Sequence, residues 1–178
     1  MPPSQSEKLQ YPIGRFSFSP VISTEELERQ IHAIRELPAQ LKAALNEVEP
    51  PQYDTPYRPG GWTVRQVVHH IADSHLNAFV RFKLALTEIQ PTIKPYLEEG
   101  WAELPDSRKV DPLVSLQLIE SLHFRWAVLL ESMNSSDFQK TLFHPERGRA
   151  ITLWEMLALY AWHGAHHIGH IRLVGSNS

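Results

Sequence analysis

Four stretches of the chain place an apolar residue at every third or fourth position, and Pro-rich connections separate them. That spacing lines one face of a helix, and a one-faced helix is stable only against a partner. The pattern predicts an all-α fold, a four-helix bundle of up-and-down type with over half of its residues helical. The first stretch opens with Ser23-Thr24-Glu25-Glu26, a capping box. It continues through Leu27, Ile31, Ile34, Leu37, Leu41 and Leu45. Pro38 inside it is expected to kink the helix or cost hydrogen bonding. The second opens at Thr63 with Gln66 three residues on, carries Val64, Val67, Val68, Ile71, Phe79 and Phe82, and stops before Pro91. The third starts at Asp111-Pro112, an N-cap acid followed by Pro at the first helical position. Asn134-Ser135-Ser136-Asp137 ends it. The fourth runs from Thr152 to about Val174, with Gly175-Ser176 as its stop.

Between the third and fourth stretches, residues 140–144 and 149–153 flank Pro145-Glu146-Arg147-Gly148. That is the pattern of a small β-hairpin just before the last helix. The other connections read as loops: 49–61 is dense in Pro and Gly, and 89–110 is a long irregular segment. Loops held by rigid elements concentrate function, so 47–61 and 89–110 are expected to border any site. Tyr96 and Trp101 are candidate pocket walls.

Composition narrows the function. At 178 residues the chain suits one domain, 1–178, and buries roughly 70% of the surface its unfolded form exposes. There is no cysteine, which excludes disulfides, a thiolate nucleophile and Cys-bound zinc. The formal net charge of −3 lacks the basic footprint of a nucleic-acid binder. No apolar run approaches the ~20 residues of a membrane span, and the N-terminus lacks a signal-type apolar region. No nucleic acid and no membrane partner are expected, and the cytoplasm is the default location.

The chain has ten His, and four of them crowd into His163-Gly164-Ala165-His166-His167-Ile168-Gly169-His170. His163 with His167, and His166 with His170, have the i, i+4 spacing that sets two imidazoles on one helix face and can clamp one metal. At about 100° per residue, His163 and His167 fall at the edge of the buried stripe. His166 and His170 point further toward solvent, so His163 and His167 are preferred. The zinc-protease pattern H-E-x-x-H is absent, and with it the usual general base. A third ligand has to come from the second helix, which offers His69, His70 and His75. His75 lies nearest the centre of its apolar stripe. His70 lies about 120° to one side and His69 slightly further round on the other. His32, His123 and His144 are isolated and read as structural or surface residues.

The stretch from Trp62 to Asp73, Trp-Thr-Val-Arg-Gln-Val-Val-His-His-Ile-Ala-Asp, resembles the DinB superfamily signature W-[ST]-x-x-[EQ]-x-x-x-H-[LI]-x-[DE]. His163 to His170 resembles that superfamily's N-H-x-x-x-H-R-G-Q. The start Tyr11-Pro12-Ile13-Gly14 and the loop from Tyr96 to Asp106 are similar to the YfiT branch, the metal-dependent hydrolases. The resemblance covers nearly the whole chain. It implies a four-helix bundle, a homodimer, and a metal site of His70, His163 and His167, against the periodicity preference for His75. The chain departs from the superfamily where R-G-Q becomes Ile168-Gly169-His170.

Three neutral imidazoles suit one divalent ion, zinc first and nickel second. They leave an open position, the mark of a catalytic site, where a water's pKa can fall to about 7. The expected activity is metal-dependent hydrolysis of a small-molecule substrate. Candidate general acids or bases are Asp73, Glu103, His166 and His170. The resemblance also implies a rival, S-transfer of a low-molecular-weight thiol whose pKa the ion lowers. A third class is a non-catalytic metal-dependent binding protein.

Overall fold

The computed structural model describes residues 4–175. Four long helices build the body: α2 (Thr24–Asn46), α3 (Val64–Thr87), α6 (Pro112–Glu131) and α8 (Leu153–Gly175). Short helices fill the connections: α1 (Gln5–Gln10), α4 (Glu98–Ala102), α5 (Pro105–Lys109) and α7 (Ser135–Phe138). Of the described residues 69% are helical. The caps stand where the sequence puts them. Ser23 accepts from the Glu26 N–H, Thr63 and Gln66 cap reciprocally, and Asp111 accepts from the Leu113 N–H. Helix α2 runs through Pro38 as one element. Ser176, expected to share in ending α8, lies outside the described residues.

The hairpin pairs β1 (Thr141–His144) with β2 (Arg149–Thr152), antiparallel, with Leu142 opposite Ile151. Gly148 holds the left-handed position in its turn, at φ 62°, a conformation Gly adopts without steric cost. Residues 91–93 lie along β1 through Phe143 N–H to Pro91 O and Ile93 N–H to Phe143 O. The long connection is thereby fastened to the hairpin. Segment 89–110 is not irregular throughout, since α4 and α5 occupy much of it.

The bundle differs from the up-and-down order in one respect. Helix α2 packs on α6 and α8, and α3 packs on α6 and α8, so α2–α3 and α6–α8 are diagonal pairs. The crossings 47–63 and 132–152 are long enough to span a diagonal, which short turns are not. Helix α6 reaches the length and hydropathy of a membrane span, beyond what its longest apolar run predicts. Its Ile119, Leu122, Trp126 and Leu130 nonetheless lie in the bundle core. The diagonal order brings α3 against α8, and with them the two His-bearing segments.

Candidate metal centre

Helix α3 is fixed at its start. The Thr63 Oγ1 accepts from the Gln66 N–H at 3.2 Å, and the Gln66 Oε1 accepts from the Thr63 N–H at 3.0 Å. The Gln66 amide also donates to Ala102 O at 2.9 Å and to Glu103 Oε1 at 3.0 Å. This ties α4 to the first turn of α3 and so holds the connection over the next two turns, where the histidines lie.

His69 and His70 then diverge. His69 turns to α6, with Nδ1 2.7 Å from Ser115 Oγ and Nε2 3.0 Å from Val110 O. Both of its nitrogens are used in packing. His70 turns to α8, and its Nε2 stands 3.1 Å from His163 Nε2. One ligand atom each from His70, His163 and His167 lies within 4.8 Å of the others. Two nitrogens sharing one zinc at about 2.0–2.1 Å and a tetrahedral angle stand about 3.3–3.4 Å apart. The observed approach of His70 to His163 is close to that spacing, and the three residues could hold one divalent ion.

His75, favoured by periodicity, is not in this group. Its Nδ1 lies 3.0 Å from His123 Nε2 and its Nε2 3.1 Å from His163 Nδ1. The centre of the apolar stripe aims at the bundle axis, where His75 is fully buried. His70 and His75 both reach His163 on α8, His70 at its Nε2 and His75 at its Nδ1. His123 is not isolated either: it joins His75 to the carbonyl of Ile34, 2.6 Å from its Nδ1. His32 is exposed and His144 partly buried.

His166 and His170 also depart from expectation. Both are buried, because the N-terminal segment and the 57–62 loop cover this side of α8. Pro12 lies against Gly169, where a Cβ would stand 2.8 Å from Pro12 Cγ. Tyr57 stacks on His170 with ring centroids 3.9 Å apart. A second triplet, His166, His167 and His170, also has ligand atoms within 4.8 Å. In it, however, His170 has both nitrogens engaged, Nδ1 with His167 Nδ1 at 3.3 Å and Nε2 with Gln10 O at 3.2 Å. His163 likewise has contacts at both nitrogens, so the two triplets, which share His167, are alternative seats for one ion.

The imidazoles are all held neutral, as metal binding requires. Burial pushes His70 down to about 4, helped by the neighbouring His166 and His170. Burial also lowers His163 and His167 well below the usual value.

A pocket of about 250 Å³ opens beside His167, with Tyr57, Arg58, Trp62, Glu99, His166 and His170 among its walls; His70 and His163 do not line it. Trp62 covers the triplet, its ring centroid 4.7 Å from that of His70. The 47–61 and 89–110 segments do reach this mouth, through Tyr57–Gly61 and Glu99. Tyr96 and Trp101 do not line it; they pack on each other at 4.4 Å. The sequence placed Tyr57, Arg58 and Glu99 in the bordering loops without giving them individual roles, and Tyr11 reaches the pocket through long-range packing that no local pattern encodes.

The four acid–base candidates separate. Glu103 is exposed and bound by Arg108 at 2.7 Å and by Gln66. Asp73, one turn beyond His70, is partly buried, and burial together with Asp106 pushes its carboxyl up to about 6. His170 is spent between His167 and Gln10. His166 stacks on Trp162 at 4.4 Å, and its buried Nδ1 has no hydrogen-bond partner.

A model of the DinB superfamily matches residues 33–171. A Bacillus cereus (strain 03BB102) protein named "Putative metal-dependent hydrolase" is 55% identical over 163 residues, covering 92% of this chain and 93% of that protein. A Bacillus mycoides (strain KBAB4) protein of the same description is 53% identical over the same shares. Among solved structures, YfiT from Bacillus subtilis, described as a probable metal-dependent hydrolase with an unusual four-helix bundle topology, aligns with a TM-score of 0.92. It is 48% identical, over 96% of this chain and 97% of that one.

Proposed function

The chain belongs to the DinB superfamily, and from that premise we propose that it is a metal-dependent hydrolase of small molecules. In this reading His70, His163 and His167 hold one divalent ion, zinc first and nickel second. The observation that carries it is the convergence of three imidazoles from two packed helices, with His167 reaching a pocket. Three nitrogen ligands suit such ions and leave a position open. When bound, the ion supplies Lewis acidity and brings the pKa of water toward about 7.

The chain's own residues supply the rest. Trp62 and Tyr57 wall the pocket with aromatic surface and limit the water around the substrate. Asp73, with a carboxyl near the working pH, is suited to hold and return a proton. Among the described residues Arg58 is the only lysine or arginine lining this pocket, and its buried Nε has no hydrogen-bond partner. It suits an anionic group on the substrate. Cytoplasmic residence belongs to the same reading.

Metal-loaded protein assayed on activated esters and amides tests it, with an electrophile plus small thiols run in parallel. Ester or amide cleavage lost on chelation is the expected result. Thiol consumption without cleavage assigns the site to S-transfer, and ligand binding without turnover assigns it to a binding protein.

The reading includes a homodimer. Helix α6 leaves Val114, Leu118, Phe124 and Val128 exposed, with Leu76 and Val80 on neighbouring α3. Phe124 is 70% exposed, and such apolar surface favours a partner. Sedimentation at micromolar concentration should give a dimer; a monomer throughout defeats that part of the reading.

A further inference from the structure

We infer that two chains of imidazoles, each anchored on a backbone carbonyl, set the tautomers of His163 and His167 so that the Nε2 of each is left unprotonated for a metal. The inference rests on the proposed ligand set and deepens it. It makes His75, His123 and His170 positioning residues.

The first chain is read from its anchor. A backbone carbonyl only accepts, so His123 Nδ1, 2.6 Å from Ile34 O, carries the proton. A neutral imidazole has one donor and one acceptor, so His123 Nε2 accepts. The His75 Nδ1, 3.0 Å away, must then donate. His75 Nε2 in turn accepts, and His163 Nδ1, at 3.1 Å, is the donor. The Nε2 of His163 is left bare, and it is the atom that faces His70.

The second chain is shorter. Gln10 O, 3.2 Å from His170 Nε2, fixes the proton there. His170 Nδ1 therefore accepts, and His167 Nδ1, at 3.3 Å, donates. The Nε2 of His167 is left bare. Each link joins two imidazole nitrogens, and a hydrogen bond between them needs a lone pair on one of the two, so the donor–acceptor logic passes along both chains. The ligand's outer nitrogen is commonly fixed by a carboxylate, carbonyl or water. Here a second imidazole intervenes, and in one chain a third.

Two measurements test the inference. In metal-free protein, ring 15N–1H correlation spectra should show His75, His123, His163 and His167 protonated at Nδ1, and His170 at Nε2. His163 or His167 protonated at Nε2 overturns the inference. The second measurement is zinc affinity by competition with a chelator. In His123→Leu the chain loses its anchor and His75 is free to reverse. Affinity should fall about tenfold or more, with an Nε2–H signal appearing at His163. In His123→Gln the side-chain oxygen can accept from His75 and the amide can donate to Ile34 O, so affinity should return toward wild type. Unchanged affinity in folded His123→Leu overturns the inference, as does an equal loss in both variants. His163→Ala is the control: if it too binds zinc normally, the ligand set itself is wrong, a failure distinct from that of the tautomer chain.

Discussion

Gly164 meets Leu37 so closely that a Cβ on the glycine would overlap Leu37 Cδ1. This contact joins α8 to α2 one residue beyond His163. Overpacking a tight helix contact costs about 1–3 kcal/mol, and here the displaced helix carries two of the three proposed ligands. Gly164→Ala should lower the denaturation midpoint and weaken zinc retention together. A variant with wild-type stability and metal content contradicts the close packing.

The buried imidazoles make low pH destabilising for the metal-free protein. Burial pushes His123 from its usual 6.5 down to about 4, so the unfolded chain binds the proton first. The stabilisation is fully present above 6.5 and is lost as pH falls from there toward 4, on the order of 3 kcal/mol for this residue. His70 and His170 have the same sign. Chelator-treated protein should unfold at lower denaturant concentration at pH 5 than at pH 7. A flat or inverted dependence contradicts the burial.

Asp73 has the opposite sign. Its carboxyl is raised to about 6, so the folded protein holds that proton more firmly than the unfolded chain does. Its contribution to stability falls as pH rises from about 3.8 through 6. Asp73→Asn should therefore stabilise the protein at pH 7 but not at pH 3. If Asp73 moves the proton in catalysis, hydrolytic turnover should also fall by about 10²–10⁴. A variant that loses activity without gaining stability separates the two roles.

Local signals carried much of this fold. Ser23, Thr63 and Asp111 are N-caps, and the hairpin sits where Gly148 permits its turn. The same signal was present for α1, since Ser4 caps Glu7, although the short apolar content around it gave no periodicity. The diagonal order of the bundle was not legible, because it depends on which helices meet across long connections. At the site, i, i+4 spacing singled out His163 and His167, and the family signature singled out His70. Helical angle misled twice. His75 at the stripe centre faces the bundle axis rather than the pocket. His166 and His170, on the outer side, are covered by Pro12 and Tyr57 from distant parts of the chain. Angular position reports which way a side chain leaves its helix and says nothing of what lies over it.

In the proposed ligand set His70, His163 and His167 hold one ion and the neighbouring histidines of α3 do not. Zinc content and affinity of single alanine variants at His69, His70, His75, His163 and His167 test it most directly, each checked for folding by circular dichroism. The account predicts severe loss of zinc at His70, His163 and His167. It predicts retained metal at His69, and at His75 a weakened affinity with the ion still bound. If His75→Ala strips the metal while His70→Ala keeps it, the site is not the one described.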